Sequence, residues 1–377
     1  MVKAPHATSS KLLELADRLG PVFAERAEGR DDTDAFAADN FAELKESGAF
    51  AAGIPAELGG GGASHREVAE FLRRLGFYCG STALALSMHS HVVATTVWRW
   101  RNDKAPVEAL LRRAAAERLL FISSGGADWL ESSGTAERVE GGYRIRARKP
   151  FASGSPCGDL LMTSAVVEDP AAGPTVLHFP VPLKAEGVST ADTWRCLGMR
   201  GTGSNDILLE GVFVPENAVA LRRPKGKWHR FYHILVLVAL PTIYPVYLGI
   251  AEAARQIALA EATRRREDAA VQLAAGEMET ELAAARLALG RMLDLAEREQ
   301  PSAEASNEVL MARTLAARSA IRTVELAMEL ASGRGYYRRT GLERRFRDIQ
   351  AARFHPLQQP QQHRYSGRMA LGLDLDG

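Results

Sequence analysis

The chain has 377 residues, enough for two or three domains and for a core that needs no covalent staples. Lys and Arg total 47 against 46 Asp and Glu, so a net charge of +1 gives no global reason to expect nucleic acid or an anionic membrane surface as partner. At 46% hydrophobic and 25% charged residues the chain is not disordered, and its 3 cysteines, Cys79, Cys157 and Cys196, form neither a disulfide framework nor a thiolate zinc site.

The first residues lack an apolar stretch ahead of a small-residue cleavage site, so a cytoplasmic protein is expected. After the candidate caps Ser9 and Ser10, Leu12, Leu15, Ala16, Leu19 and Phe23 recur at spacings of three and four, which predicts a helix. A second short helix carries Phe36, Phe41 and Leu44. The loop Ile54 to Leu58 runs into Gly59 to Gly62, and apolar helices follow over His65 to Phe77 and Thr82 to Trp100. On the second of these, His89 and His91 lie two apart and point to different faces, so they are not expected to share a metal, and no metal site is expected elsewhere.

Near Leu119 the apolar period changes from 3.6 to 2: Tyr143, Ile145 and Ala147 alternate with Arg144, Arg146 and Arg148. Leu160 to Val167, Thr175 to Val181 and Ile207 to Val214 read as further strands of a compact β domain. Phe231 to Ala251 is apolar enough to be weighed as a membrane span. Pro241, Pro245, His233 and Thr242 argue instead for a helix end, a break, and a second buried helix resuming near Val246. Two long amphipathic stripes follow, one through Met278, Leu282, Leu289 and Met292, the other through Leu310, Ile321, Val324 and Met328, and they need the partners that a bundle supplies. Strands and helices do not alternate, and neither Gly59 to Gly62 nor Gly333-Arg334-Gly335 forms a dinucleotide fingerprint. Nine arginines between Gly333 and Arg368 form a cluster that could meet phosphates or line a subunit interface, with nucleic acid last.

Four stretches in this order resemble the acyl-CoA dehydrogenase superfamily: Pro55-Ala56-Glu57-Leu58-Gly59-Gly60; Gly198-Met199-Arg200 through Ser204 with Val214-Pro215; Ser332-Gly333-Arg334-Gly335 with Arg347-Asp348; and Gly367-Arg368 with Leu371-Gly372. The resemblance implies an α+β fold, with an N-terminal helical domain over 1–118, a middle β-barrel-like domain over 119–222 and a C-terminal four-helix bundle over 223–377. It also implies FAD held between the β domain and the bundle, in a homodimer or homotetramer. Carried over residue by residue, it places Phe121, Ser123 and Ser124 beside the flavin ring and Phe151 and Ser153 near flavin N5, leaves Arg265 able to pair with the pyrophosphate, and adds Gly333 and Gly335 to the cofactor-binding residues. His89, His91 and Tyr244 are further candidates for the substrate pocket.

The chain also departs from the family pattern. Gly125 to Leu130 stands where the family has a Glu-Pro-Gly-x-Gly-Ser-Asp loop, and Phe-Gly is missing after Arg265. The two seats of the family's catalytic glutamate fall near Ala239 and at or beside Pro356, which leaves His355 as the candidate acid or base, an imidazole expected to titrate near neutrality. The expected function is therefore a FAD-dependent α,β-dehydrogenation of an acyl thioester of CoA or a carrier protein, with an unconventional base and an electron-transfer flavoprotein as partner. The alternatives are a two-component flavin monooxygenase served by a flavin reductase, which a histidine after Arg-Asp resembles, and a flavin-free, non-catalytic homologue.

Overall fold

The computed structural model describes residues 7–376. Helices fill the first part: α1 (Ala7–Arg30), α2 (Ala38–Glu46), α3 (His65–Tyr78), α4 (Gly80–Asp103) and α5 (Glu108–Glu117). Ser9 and Ser10 lie inside α1 rather than capping it, and Phe36 precedes α2, with its ring centroid 5.1 Å from that of Phe41. The start of α3 is set by a reciprocal pair. The Ser64 hydroxyl accepts from the Glu67 N–H at 3.2 Å, and the Glu67 carboxylate accepts from the Ser64 N–H at 2.7 Å.

The middle of the chain forms one eight-stranded sheet from β1 (Phe121–Ser123), β2 (Thr135–Val139), β3 (Gly142–Ala152), β4 (Leu160–Asp169), β5 (Gly173–Pro182), β6 (Val188–Ala191), β7 (Asn205–Pro215) and β8 (Leu221–Pro224). Its order is β6-β7-β3-β2-β4-β5-β8, with β1 pairing in parallel with β4. Alternation decides which face each strand buries: on β3, Tyr143 and Ile145 are wholly buried while Arg144, Arg146 and Arg148 are exposed.

The C-terminal part is helical: α6 (Arg230–Ala262), α7 (Ala269–Arg298), α8 (Ala303–Ala331), α9 (Leu342–Ile349) and α10 (Gln359–Ala370). The apolar run does not break. Pro241 and Pro245 both lie inside the 33 residues of α6, which packs against α3, α4, α7 and α8. Each proline forfeits only its own N–H, and the burial of nearly every side chain from Val236 to Ala254 outweighs that loss. Among the described residues α6 is the one helix long and apolar enough to cross a membrane by length and composition, and 94% of its apolar window is buried inside the protein, as in the core helix of a globular fold.

Close crossing of α3 and α6 depends on two glycines. A Cβ on Gly249 would stand 2.0 Å from the Arg73 carbonyl oxygen, and one on Gly76 would stand 2.6 Å from that of Val246. Backbone cannot yield as a flexible side chain does, so Gly249→Ala should force the helices apart and destabilise the fold by about 1–3 kcal/mol, read from the midpoint of urea unfolding. An unchanged midpoint would mean that the crossing is looser than this.

Candidate functional site

A cavity of about 810 Å³ opens where the face of α4, the ends of β1, β3 and β4, the first half of α6 and the segment after α9 converge. Its wall is mostly apolar, with aromatic rings from Trp129, Phe151, Trp194, Phe231, Tyr232 and Phe354. Topology explains the convergence. Strand β1 pairs with β4 in register, which sets Ser123 opposite Met162, and a hydrogen bond from the Phe121 N–H to His89 Nδ1 at 2.9 Å ties the same strand to α4.

One side of the cavity carries hydroxyls. Ser123, Ser124, Ser153, Thr163 and Ser204 all line it. The Thr163 hydroxyl donates to Ser124 Oγ at 3.1 Å, and Ser123 Oγ lies 3.3 Å from His91 Nε2. His91 Nδ1 is buried with no partner among the described residues, and burial lowers the imidazole pKa to about 4. A chain of hydroxyls fixes the polarity of Ser153. Thr202 Oγ1 donates to the Met199 carbonyl at 2.9 Å and lies 2.7 Å from Ser204 Oγ, which lies 2.8 Å from Ser153 Oγ. With Thr202's proton spent on the carbonyl, the one fully satisfied arrangement runs Ser153 to Ser204 to Thr202, leaving lone pairs on Ser153 Oγ. Phe151, two residues earlier, has φ of +59° and meets Trp194 edge-on at 5.9 Å. A non-glycine residue in that region is an outlier of the kind found at binding sites.

Behind this side lies an ion pair that sequence reasoning missed. The Lys149 ammonium, with no exposed surface, donates to Asp128 Oδ1 at 2.7 Å and to the carbonyls of Ser133 and Ser164 at 2.5 and 2.6 Å. Asp128 lines the cavity but is committed to Lys149 and the Ser133 hydroxyl. The other carboxylate on the wall, Asp206, accepts from Arg148 Nε at 2.5 Å.

The opposite side is built from α6 and the segment after α9. Ala239 and Pro356, the two seats for a glutamate, both line the cavity, as does His355. His355 Nε2 is hydrogen-bonded to the buried hydroxyl of Tyr247, and Arg313 Nη2 donates to the His355 carbonyl at 2.7 Å. Burial first, and then the Arg313 charge, lowers the imidazole pKa to about 3. The expected titration near neutrality therefore does not hold: burial and the fixed Arg313 cation behind it keep His355 neutral.

Two motifs that are far apart in sequence clasp each other. The buried Asp348 carboxylate accepts from the Met199 N–H, and a Cβ on Gly198 would stand 2.4 Å from the Arg347 carbonyl carbon. Other candidates lie away from the wall. Phe121 is wholly buried beneath it, and His89 packs there too, its Nε2 on the Phe50 carbonyl at 2.8 Å. Tyr244 stands behind His355 with its hydroxyl donating to the Ala352 carbonyl at 3.0 Å. Arg265 is exposed and donates to the Leu330 carbonyl at 2.7 Å, while Gly333 and Gly335 lie in the turn Ser332–Tyr336, so none of these three reaches the cavity.

Comparison with known families decides the relationship. The model of the acyl-CoA dehydrogenase N-terminal domain matches residues 15–117, and that of the acyl-CoA dehydrogenase C-terminal domain matches residues 242–360. The chain belongs to the acyl-CoA dehydrogenase superfamily. That superfamily is one of flavin-dependent oxidoreductases, so the broad class of activity comes with membership. Relatives include a putative acyl-CoA dehydrogenase, YdbM, of Bacillus subtilis, 28% identical over 91% of this chain and 92% of its own length. The amino sugar nitrososynthase DnmZ of Streptomyces peucetius is 29% identical over 96% of this chain and 93% of its own. Among solved structures, KijD3 in complex with FMN and a dTDP-linked amino sugar superposes with a TM-score of 0.90 at 26% identity, covering 100% of this chain and 97% of that one. A nitrososynthase from Micromonospora carbonacea gives 0.89 at 25%, covering 98% and 99%.

Proposed function

We propose that this superfamily member is the oxygenase component of a two-component flavin monooxygenase, which takes reduced FMN from a separate reductase and oxidises a small, largely apolar molecule with dioxygen. The observation that carries this reading is the wall opposite the hydroxyls. In this superfamily a carboxylate opposite the flavin removes the α-proton of an acyl thioester. Here the two seats hold Ala239 and Pro356, and both carboxylates on the wall are already paired. A flavin-free homologue is disfavoured by what the cavity retains: its volume, its row of hydroxyls and an unpartnered His91 Nδ1.

These residues suit a flavin ring. Ser123, Ser124, His91 and Thr163 offer polar atoms for a pyrimidine edge, and Phe151 and Trp194 offer an aromatic wall. The lone pairs left on Ser153 suit an N–H donor, which the central ring carries when reduced. Bound there, reduced flavin supplies the two electrons with which dioxygen is divided between substrate and water. The chain's own part is to exclude water with the aromatic wall, to hold the ring edge, and to accept or return a proton at neutral His355 backed by Tyr247. FMN is preferred to the expected FAD because the Phe-Gly that follows the family's phosphate-side arginine is missing after Arg265, and because KijD3 was crystallised with FMN.

The test is a titration of the purified chain with FMN and FAD, followed by anaerobic loading with the reduced form and mixing with oxygen. Tighter binding of FMN, with oxygen consumed only when a reductase supplies reduced flavin, is expected. Bleaching of bound flavin by an acyl-CoA without a reductase would overturn the reading in favour of dehydrogenation.

A further inference from the structure

The far end of the cavity, where α4 meets the start of α6, has an unusual charge balance. Three cationic side chains line the cavity: Arg99, Arg195 and Arg347. Arg195 is paired with Asp192 at 2.8 Å, and Arg347 with Glu343 at 2.8 Å and with Asp31. Arg99 has no such partner among the described residues. Its contacts are the Ala220 carbonyl at 3.3 Å and the Phe231 ring, 5.7 Å from its guanidinium carbon. Asp103, one turn along α4, is taken by Arg230 through both oxygens at 2.7 and 2.8 Å.

A second cation stands behind the same end. Arg223 is only 2% exposed, and no described carboxylate pairs with it. Its Nε donates to Nε2 of His178, which lines the cavity, at 3.1 Å, its Nη1 donates to the Leu130 carbonyl at 2.6 Å, and its Nη2 is buried with no hydrogen-bond partner among the described residues. The guanidinium carbon lies 4.6 Å from the centre of the Tyr232 ring, another part of the wall. One half-buried guanidinium on the wall and one buried guanidinium behind it therefore stand at a single apolar end, and neither has a described carboxylate as ion-pair partner. Desolvated charge of this kind is costly unless a counter-charge arrives.

Resting on the monooxygenase reading and naming its substrate class, we propose that Arg99 receives the anionic group of the substrate, so that the molecule oxidised is an apolar or aromatic acid held with its carboxylate at this end and its apolar body along the cavity. The planar fork of arginine matches a carboxylate through paired N–H bonds, and the field of Arg223 adds to the attraction without contact. A phosphate ester offers the same chemistry from a different source, and a matched set of probes separates the two.

The experiment titrates the purified full-length chain with 2-naphthoate, the neutral 2-naphthamide and 2-naphthyl phosphate, following tryptophan fluorescence, in the wild type, Arg99→Met and Arg99→Lys. The wild type should bind naphthoate at least about tenfold more tightly than the amide. Arg99→Met should abolish that preference while leaving amide binding unchanged, and Arg99→Lys should keep part of it. If the phosphate binds more tightly than the carboxylate and also loses its advantage in Arg99→Met, the subsite stands and its anion is a phosphate. Equal binding of acid and amide by the wild type, or a preference that survives Arg99→Met, overturns the proposal. Titrating the same samples with FMN keeps the two readings apart: an Arg99-dependent preference without flavin uptake would refute the monooxygenase and leave the anion subsite in place.

Discussion

His355→Ala is expected to lower turnover by roughly a hundredfold or more while leaving flavin content unchanged, the loss typical of a positioned proton-transfer group. The imidazole lines the cavity and is held by Tyr247, and no described carboxylate on the wall is free to replace it. Since burial and Arg313 keep its pKa near 3, the wild-type rate should show no inflection at the ordinary histidine value. Arg313→Met removes the fixed cation, so the imidazole should titrate at a higher pH and an acid limb should move towards neutrality. Normal turnover in His355→Ala would take the residue out of the mechanism. An unmoved pH profile in Arg313→Met would show that burial alone sets the protonation state.

A steep loss of stability in mild acid is the other large expected effect. Five histidines are held neutral by burial: His65, His89 and His91 near pKa 4, and His178 and His355 near 3. Each folded value lies below the ordinary 6.5, so the unfolded chain binds more protons between those limits. Stability is then full above about pH 7 and falls as the pH drops through 6.5 towards 4. Each histidine contributes a slope of up to about 1.4 kcal/mol per pH unit, so together they can exhaust an ordinary folding stability of about 5–15 kcal/mol near pH 5. Urea unfolding across a pH series measures the slope directly. His89 supplies the internal control, because its Nδ1 accepts from the Phe121 N–H and its Nε2 therefore carries the proton given to the Phe50 carbonyl, which leaves no site for a second proton. His89→Gln should lower overall stability and remove one proton from the slope. A total slope of one proton or less would mean that these imidazoles are not held neutral.

How much of this was legible in the sequence depends on the range of the interaction. Period-2 alternation at Tyr143 to Arg148 located β3, and apolar stripes located α7 and α8, because both signals report a buried face within a few residues. The short strands β1, β6 and β8 have too few residues to show a period. Reading Pro241 and Pro245 as a break failed because the proline rule is local, whereas α6 is stabilised by helices on several sides. Resemblance pointed to Ser123, Ser124, Phe151 and Ser153, and all four reach the cavity wall. The groups that complete the site escaped notice for a physical reason. Tyr247 lies 108 positions from His355, Arg313 was an arginine among many on an amphipathic helix, and Lys149 and Asp128 meet only once the sheet is formed.

The clasp between Met199 and Asp348 has a mechanical consequence. Asp348 closes α9, and His355 follows within two turns of chain, so the loop that carries Met199 and Thr202 and the proton-handling imidazole belong to one stiff block. The same loop is the far end of the hydroxyl relay that orients Ser153, so both chemical faces of the cavity are anchored to a single seam. Passage of reactants through that seam would disorder both faces at once.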